Sequence, residues 1–233
     1  MLENPKIIVA LDTNNRDSLE AILKKIKGAS CRVKVGKELF TSLGHEAINL
    51  IQKYNFEIFL DLKFHDIPTT VEKACKATSE MGVWMVNVHA SGGVDMMLAA
   101  KNGVMSNSNP TKLIAVTVLT SFDETKFKEL NYKASLDEQV LMLAKNTAKS
   151  GLDGIVCSAM DISKINNELP KNFIYVTPGI RGVYDKSNDQ KRTLSPKEAI
   201  ETGSSYLVIG RPITQSEDPK RLIEEINTEI KSV

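Results

Sequence analysis

The chain has 233 residues, 42% of them hydrophobic and 25% charged, an ordinary globular composition with enough length for one large core. Its 30 basic and 29 acidic residues leave a net charge of +1, which gives no footprint for nucleic acid or an anionic membrane surface. No apolar run approaches the roughly 20 residues that span a bilayer, and the start, Met1-Leu2-Glu3-Asn4-Pro5-Lys6, lacks the basic and apolar regions of a secretory leader.

Strand-like and helix-like segments alternate along the chain. Ile7 to Leu11 is a strand, followed by a helix that opens at Asp17-Ser18-Leu19-Glu20 and stops at Gly28. Arg32 to Val35 is the second strand, with a helix over His45 to Lys53. Glu57 to Leu62 and Thr69 to Met81 form the third pair, and Trp84 to His89 and Val94 to Asn102 the fourth. Leu113 to Leu119 is the fifth strand, and the helix Leu136 to Ser150 follows it. Gly154 to Cys157, Phe173 to Thr177 and Tyr206 to Ile209 are the remaining strands, with helices at Asp161 to Asn167, Pro196 to Glu201 and Pro219 to Lys231.

These short apolar strands read as buried on both faces, the pattern of a parallel sheet. Eight strand–helix units in about 230 residues fit an α/β fold of the (β/α)8 TIM-barrel type, here a single domain over residues 1–233. An open doubly wound sheet usually has a glycine-rich first turn, and here that turn reads Leu11-Asp12-Thr13-Asn14-Asn15. Two segments lack periodicity: Ser121 to Ala134 after strand five, and Pro178 to Leu194 after strand seven. Loops of that length are typically lids or binding loops.

Active sites of such barrels lie at the C-terminal ends of the strands. Those ends offer Asp12, then Lys34, then Asp61 and Lys63, then Thr120-Ser121, Thr177-Pro178-Gly179 and Gly210-Arg211. The third is the most informative: Asp61-Leu62-Lys63-Phe64-His65-Asp66-Ile67-Pro68. Strand alternation points Asp61 and Lys63 the same way, and Asp66 follows just past the strand. In isolation, such a run also fits a solvated surface salt bridge. Barrel closure makes the charges of strands one to three neighbours, which favours a site. Lys34 faces opposite to Val33 and Val35, so one of the two sets must point into the barrel. Gly210 permits close backbone approach and Arg211 can grip phosphate with its planar fork, with Arg181 and Gln190 as further donors from the long loop.

The three histidines have no ligand spacing, so no metal site is expected. His45 reads as exposed, His89 as structural or catalytic alike, and His65 as unnecessary to its run. Cys31, Cys75 and Cys157 are scattered and odd in number. They read as core residues of a protein from a reducing cytosol.

With these residues in place, the chain resembles the orotidine 5′-phosphate decarboxylase family along nearly its whole length. The resemblance rests on Ala10-Leu11-Asp12, Val33-Lys34-Val35-Gly36, the run Asp61 to Thr70, Val118 to Ser121, Thr177 to Arg181 and Ile209 to Pro212, and the bacterial branch fits best. It implies cofactor-free decarboxylation of orotidine 5′-phosphate to UMP in a cytoplasmic homodimer with shared active sites. By the family pattern Lys34, Asp61, Lys63 and Asp66 form the catalytic charge network, with Lys63 as proton donor to C6. Asp66, Ile67 and Thr70 would reach the partner's site. Asp12 and Lys34 would contact the ribose, Thr120 the pyrimidine, and Arg181, Gln190, Gly210 and Arg211 the phosphate side, with Pro178 also at the substrate. Two alternatives stay open. A 3-keto-L-gulonate 6-phosphate decarboxylase-like lyase would use Mg²⁺, but carries an acidic residue where Lys34 lies. A non-catalytic phosphate-binding barrel would need the Gly210-Arg211 grip and not the charge cluster.

Overall fold

The computed structural model describes residues 4–180 and 194–231. Eight parallel strands close into a barrel in simple sequence order. They are β1 (Ile7–Ala10), β2 (Arg32–Gly36), β3 (Ile58–Phe64), β4 (Met85–His89), β5 (Lys112–Val116), β6 (Gly154–Val156), β7 (Ile174–Pro178) and β8 (Tyr206–Ile209). Closure is made by β1 against β8, where Ile8 pairs with Val208 and Val9 with Ile209. The barrel expected from the alternating pattern is therefore the fold.

Strand alternation sorts the side chains into two cores. Ile8, Phe59, Met85, Ile114, Val176 and Val208 fill the barrel. Their sequence neighbours Ile7, Val9, Ile58 and Leu60, together with Val33 and Val35 of β2, face outward into the annulus beneath the helices. Burial of apolar side chains on both faces is what makes these strands read as near-continuous apolar runs. β2 settles the question left by alternation: Val33 and Val35 belong to the annulus, so Arg32 and Lys34 point inward, one toward each end of the barrel.

Arg32 closes the N-terminal end. It is 5% exposed, pairs with Glu57 at 2.8 Å, and lies 4.0 Å from the ring centre of Trp84. Trp84 in turn meets Tyr206 edge-on at 5.0 Å. A guanidinium is the cation suited to this position, because it stacks on aromatic faces while its edge bonds to a carboxylate.

The helices follow local signals. The helix Leu136–Lys149 begins with a capping box between Ser135 and Glu138, and Pro219–Lys231 starts on a proline at its first position, where a missing N–H costs nothing. Three short helices depart from the expected pattern. Lys37–Leu43 leaves β2 directly, with Gly36 as its N-cap. Glu124–Lys128, capped by Asp123, occupies part of the segment expected to be irregular. Arg211–Thr214 follows β8 at once. All are too short to show a periodic apolar face. β5 also ends at Val116 rather than Leu119, so Thr120 lies in the following loop and not at a strand terminus. Among the described residues, no helix is long and apolar enough to cross a membrane.

Candidate active site

The inward row of charges gathers at the C-terminal mouth. Asp61 stands at its centre. Its Oδ1 accepts from the Lys63 ammonium at 2.6 Å, and its Oδ2 lies 3.5 Å from Lys34 Nζ. Lys34 reaches on to Asp12 at 3.6 Å. The side chains of Lys34, Asp61 and Lys63 are 11%, 13% and 24% exposed, whereas that of Asp12 is 59% exposed. Three mostly buried charges are thus arranged cation–anion–cation, with a solvated anion at the outer end. Desolvating charges costs several kcal/mol per ion, so such a cluster is weak evidence for stabilisation. It is better understood as a field held ready for a ligand.

The local backbone departs from plain alternation. β3 pairs regularly with β4 up to Leu60–Val86, and pairing resumes at Phe64–Val88. The chain between carries more residues on β3 than on β4, which makes a bulge. Lys63 sits in it with φ of 56°, a left-handed conformation that costs a non-glycine residue roughly 1–2 kcal/mol. Asp61 and Lys63 share a face as expected, but through this bulge rather than through a regular strand. Asn87, fully buried on β4, is the residue opposite. Its Oδ1 accepts the Lys63 backbone N–H at 2.8 Å, and its Nδ2 donates to Asp61 Oδ1 at 2.7 Å. Asn87 belongs to no charged motif; its signal in the sequence is a lone carboxamide within the apolar run of β4.

A cavity of about 200 Å³ opens beside the charges. Lys34, Asp61, Lys63, Thr120 and Pro178 line it together with Val116, Val156, Val176 and Val208. One wall is charged and the floor, which includes Phe59, is apolar, which suits a flat ligand that is apolar on its faces and polar at its edges. Gly210 borders the outer rim: a side chain there would come within 3.5 Å of Asp12 Oδ2. Arg211 opens the helix after β8 at the exposed edge.

Two groups of expected site residues stand apart. Asp66, Ile67 and Thr70 are exposed on the loop and first helical turn after β3. The Asp66 carboxylate accepts the Ile67 N–H at 2.7 Å, and among the described residues no ion pair joins it to Lys63 within the chain. Ile67 is 64% exposed, a large apolar side chain directed away from its own core. Arg181 and Gln190 lie outside the described residues.

The remaining reactive groups are accounted for by burial. It pushes the thiols of Cys31 and Cys75 up to about 12 and raises that of Cys157 well above the usual thiol range, so all three stay protonated core residues. His45 is exposed. His89 ends β4 with its ring 5.4 Å from that of His65. Burial is the main cause that lowers its pKa to about 4, with His65, Lys63 and Lys37 adding in the same direction and Asp61 opposing them.

The Orotidine 5′-phosphate decarboxylase / HUMPS family model matches residues 5–226. The orotidine 5′-phosphate decarboxylase of Aliivibrio fischeri is 49% identical over 233 residues, covering 100% of both chains. That of Pseudoalteromonas translucida is 48% identical over 230 residues, 98% of each. The crystal structure of orotidine 5′-phosphate decarboxylase from Lactobacillus acidophilus superposes with a TM-score of 0.86 at 41% identity, over 97% of this chain and 99% of that one.

The low pKa of His89 has a consequence for stability. Between pH 6.5 and about 4 the unfolded chain takes up a proton at this histidine that the folded chain refuses, so stability falls with pH across that window. Chemical denaturation of the parent and of His89→Gln should show a smaller loss for the variant between about pH 7 and about pH 4.5. Parallel losses would show that His89 protonates equally in both states.

Proposed function

The chain belongs to the Orotidine 5′-phosphate decarboxylase / HUMPS family, and from that premise we propose that its site performs cofactor-free decarboxylation of orotidine 5′-phosphate to UMP and CO₂, with Lys63 as proton donor to C6. The observation that supports this most is the Lys34–Asp61–Lys63 ion chain set against an apolar-floored cavity. Loss of CO₂ leaves an electron pair on C6 of the pyrimidine. The Lys63 ammonium is already held by Asp61, so it meets the developing negative charge without reorganising. Transfer of its proton to C6 then completes UMP.

Asp61 also faces the departing carboxylate. Two like charges about 4 Å apart repel by about 4 kcal/mol at an effective dielectric near 20. That relief is small beside the barrier reductions of more than about 20 kcal/mol that enzymes reach, so stabilisation by Lys63 is the larger effect. Asp12 and Lys34 bind the ribose, Thr120 and Pro178 border the pyrimidine, and Gly210 and Arg211 take the phosphate side with Arg181 and Gln190. Phosphate binding remote from C6 contributes energy that assembles the site.

The magnesium-dependent lyase fits less well. Lys34 Nζ lies between the carboxylates of Asp12 and Asp61, and a cation there would meet an ammonium instead of a further acidic ligand. Asp66, Ile67 and Thr70 suit a homodimer in which each subunit supplies them to its neighbour, since all three are exposed and, among the described residues, no ion pair joins Asp66 to Lys63. The three buried thiols fit a cytoplasmic setting.

Ultraviolet absorbance should show conversion of orotidine 5′-phosphate to UMP at the same rate with and without excess EDTA, and Lys63→Ala should lose turnover far more than nucleotide affinity. Abolition by EDTA would favour the magnesium-dependent reading. Mixing inactive Lys63→Ala and Asp66→Ala chains should restore activity, because a hybrid dimer holds one intact site. Proven subunit exchange without recovery would rule out sharing.

A further inference from the structure

We infer that Asn87 is a positioning residue for this reaction: its carboxamide locks the bulge at Lys63 and the rotamer of Asp61, and so aims the Lys63 ammonium. The inference rests on the decarboxylase reading and extends it to a residue outside the charged network.

Chemistry fixes the orientation of the Asn87 amide. A backbone N–H needs an acceptor and an ionised carboxylate needs a donor, so Oδ1 must face the Lys63 N–H and Nδ2 must face Asp61. Both bonds are short, at 2.8 Å and 2.7 Å, and the side chain is fully buried. A buried polar group on an inward strand position must be satisfied, and a structural asparagine could have met that need from regular ladder groups. Here both partners belong to the reacting cluster, and both lie in the irregular stretch where β3 and β4 lose register.

The consequence is mechanical. Lys63 holds a left-handed backbone conformation although it is not a glycine and lies where the regular ladder is interrupted, and Asn87 supplies the acceptor that holds its N–H there. The same amide occupies Asp61 Oδ1 alongside the Lys63 ammonium. It therefore fixes the root of the Lys63 side chain and the carboxylate that grips its tip. Without it, Lys63 can relax toward an extended strand and Asp61 can rotate toward Lys34. A displacement of about 1 Å at a catalytic group can cost about 100-fold in rate.

The test is steady-state decarboxylation of orotidine 5′-phosphate by the full-length parent, Asn87→Ala, Asp61→Ala and the double variant. Asn87→Ala should lower kcat at least about tenfold with KM within about threefold, because Asn87 does not line the cavity and its effect runs through Lys63. The same change should have a smaller effect on kcat in the Asp61→Ala background, where one of its two anchors is already gone. If Asn87→Ala does not fold, Asn87→Asp replaces it: it keeps the size and the acceptor for Lys63 but turns an oxygen toward Asp61, and the same loss is expected. An active parent with kcat changed less than about threefold, a KM that rises in step with the loss, or an equal loss in both backgrounds would overturn the inference alone. A parent that does not release CO₂ would overturn the decarboxylase reading, and this inference with it.

Discussion

A single carboxylate, that of Asp61, sits between the ammonium groups of Lys34 and Lys63, and the upper half of the barrel is arranged around keeping it there. Two lysines on neighbouring inward positions would repel in a poorly solvated mouth. The carboxylate turns that repulsion into a cation–anion–cation row, and Asp12 at the solvated end extends it. Removing one member of such a buried set exposes the others to an uncompensated desolvation cost of several kcal/mol. The row is therefore an all-or-none device, and the fold must hold its members firmly enough that none is lost to solvent.

The barrel does this by giving its two ends different tasks. At the N-terminal end an inward cation, Arg32, is consumed in structure: it stacks on Trp84 and pairs with Glu57. Two residues further along the same strand, Lys34 also points inward, but into the mouth. One period of β-alternation separates a plug from a binding group. Between them the apolar interior, with Phe59, Met85 and Ile114 among its members, excludes water from beneath the site and lowers the local dielectric, which strengthens each charge–ligand interaction above it.

Much of this was legible in the sequence because period-two alternation and barrel closure are strong constraints. Doubly buried strands read as apolar runs, and a charge inside such a run, as at Lys34 or Asp61, stands out. Alternation alone could not say which face of β2 was inward; the annular packing of Val33 and Val35 decides it. The bulge at Lys63 is hidden because nothing in Asp61-Leu62-Lys63 breaks a strand pattern, and the register change shows only in the pairing with β4. Asn87 was hidden for the same reason: its importance comes from what lies across the sheet. The apolar run continues past the end of β5 at Val116 through Val118 and Leu119 into the loop, where Leu119 is 40% exposed, so sequence alone carries the strand too far. Asp66 is the converse case, a charge whose motif is evident although no ion pair joins it to Lys63 among the described residues.

In the proposed reaction Lys63, gripped by Asp61, stabilises negative charge at C6 and delivers the proton there. Exchange of the C6 hydrogen of UMP for deuterium in D₂O, followed by proton NMR with enzyme present, tests it without the complications of CO₂ release. The parent should wash the C6 hydrogen out of bound UMP slowly but measurably, and Lys63→Ala should bind UMP and leave that hydrogen in place. Undiminished exchange in a Lys63→Ala protein that still binds UMP would take the proton-donor role away from Lys63.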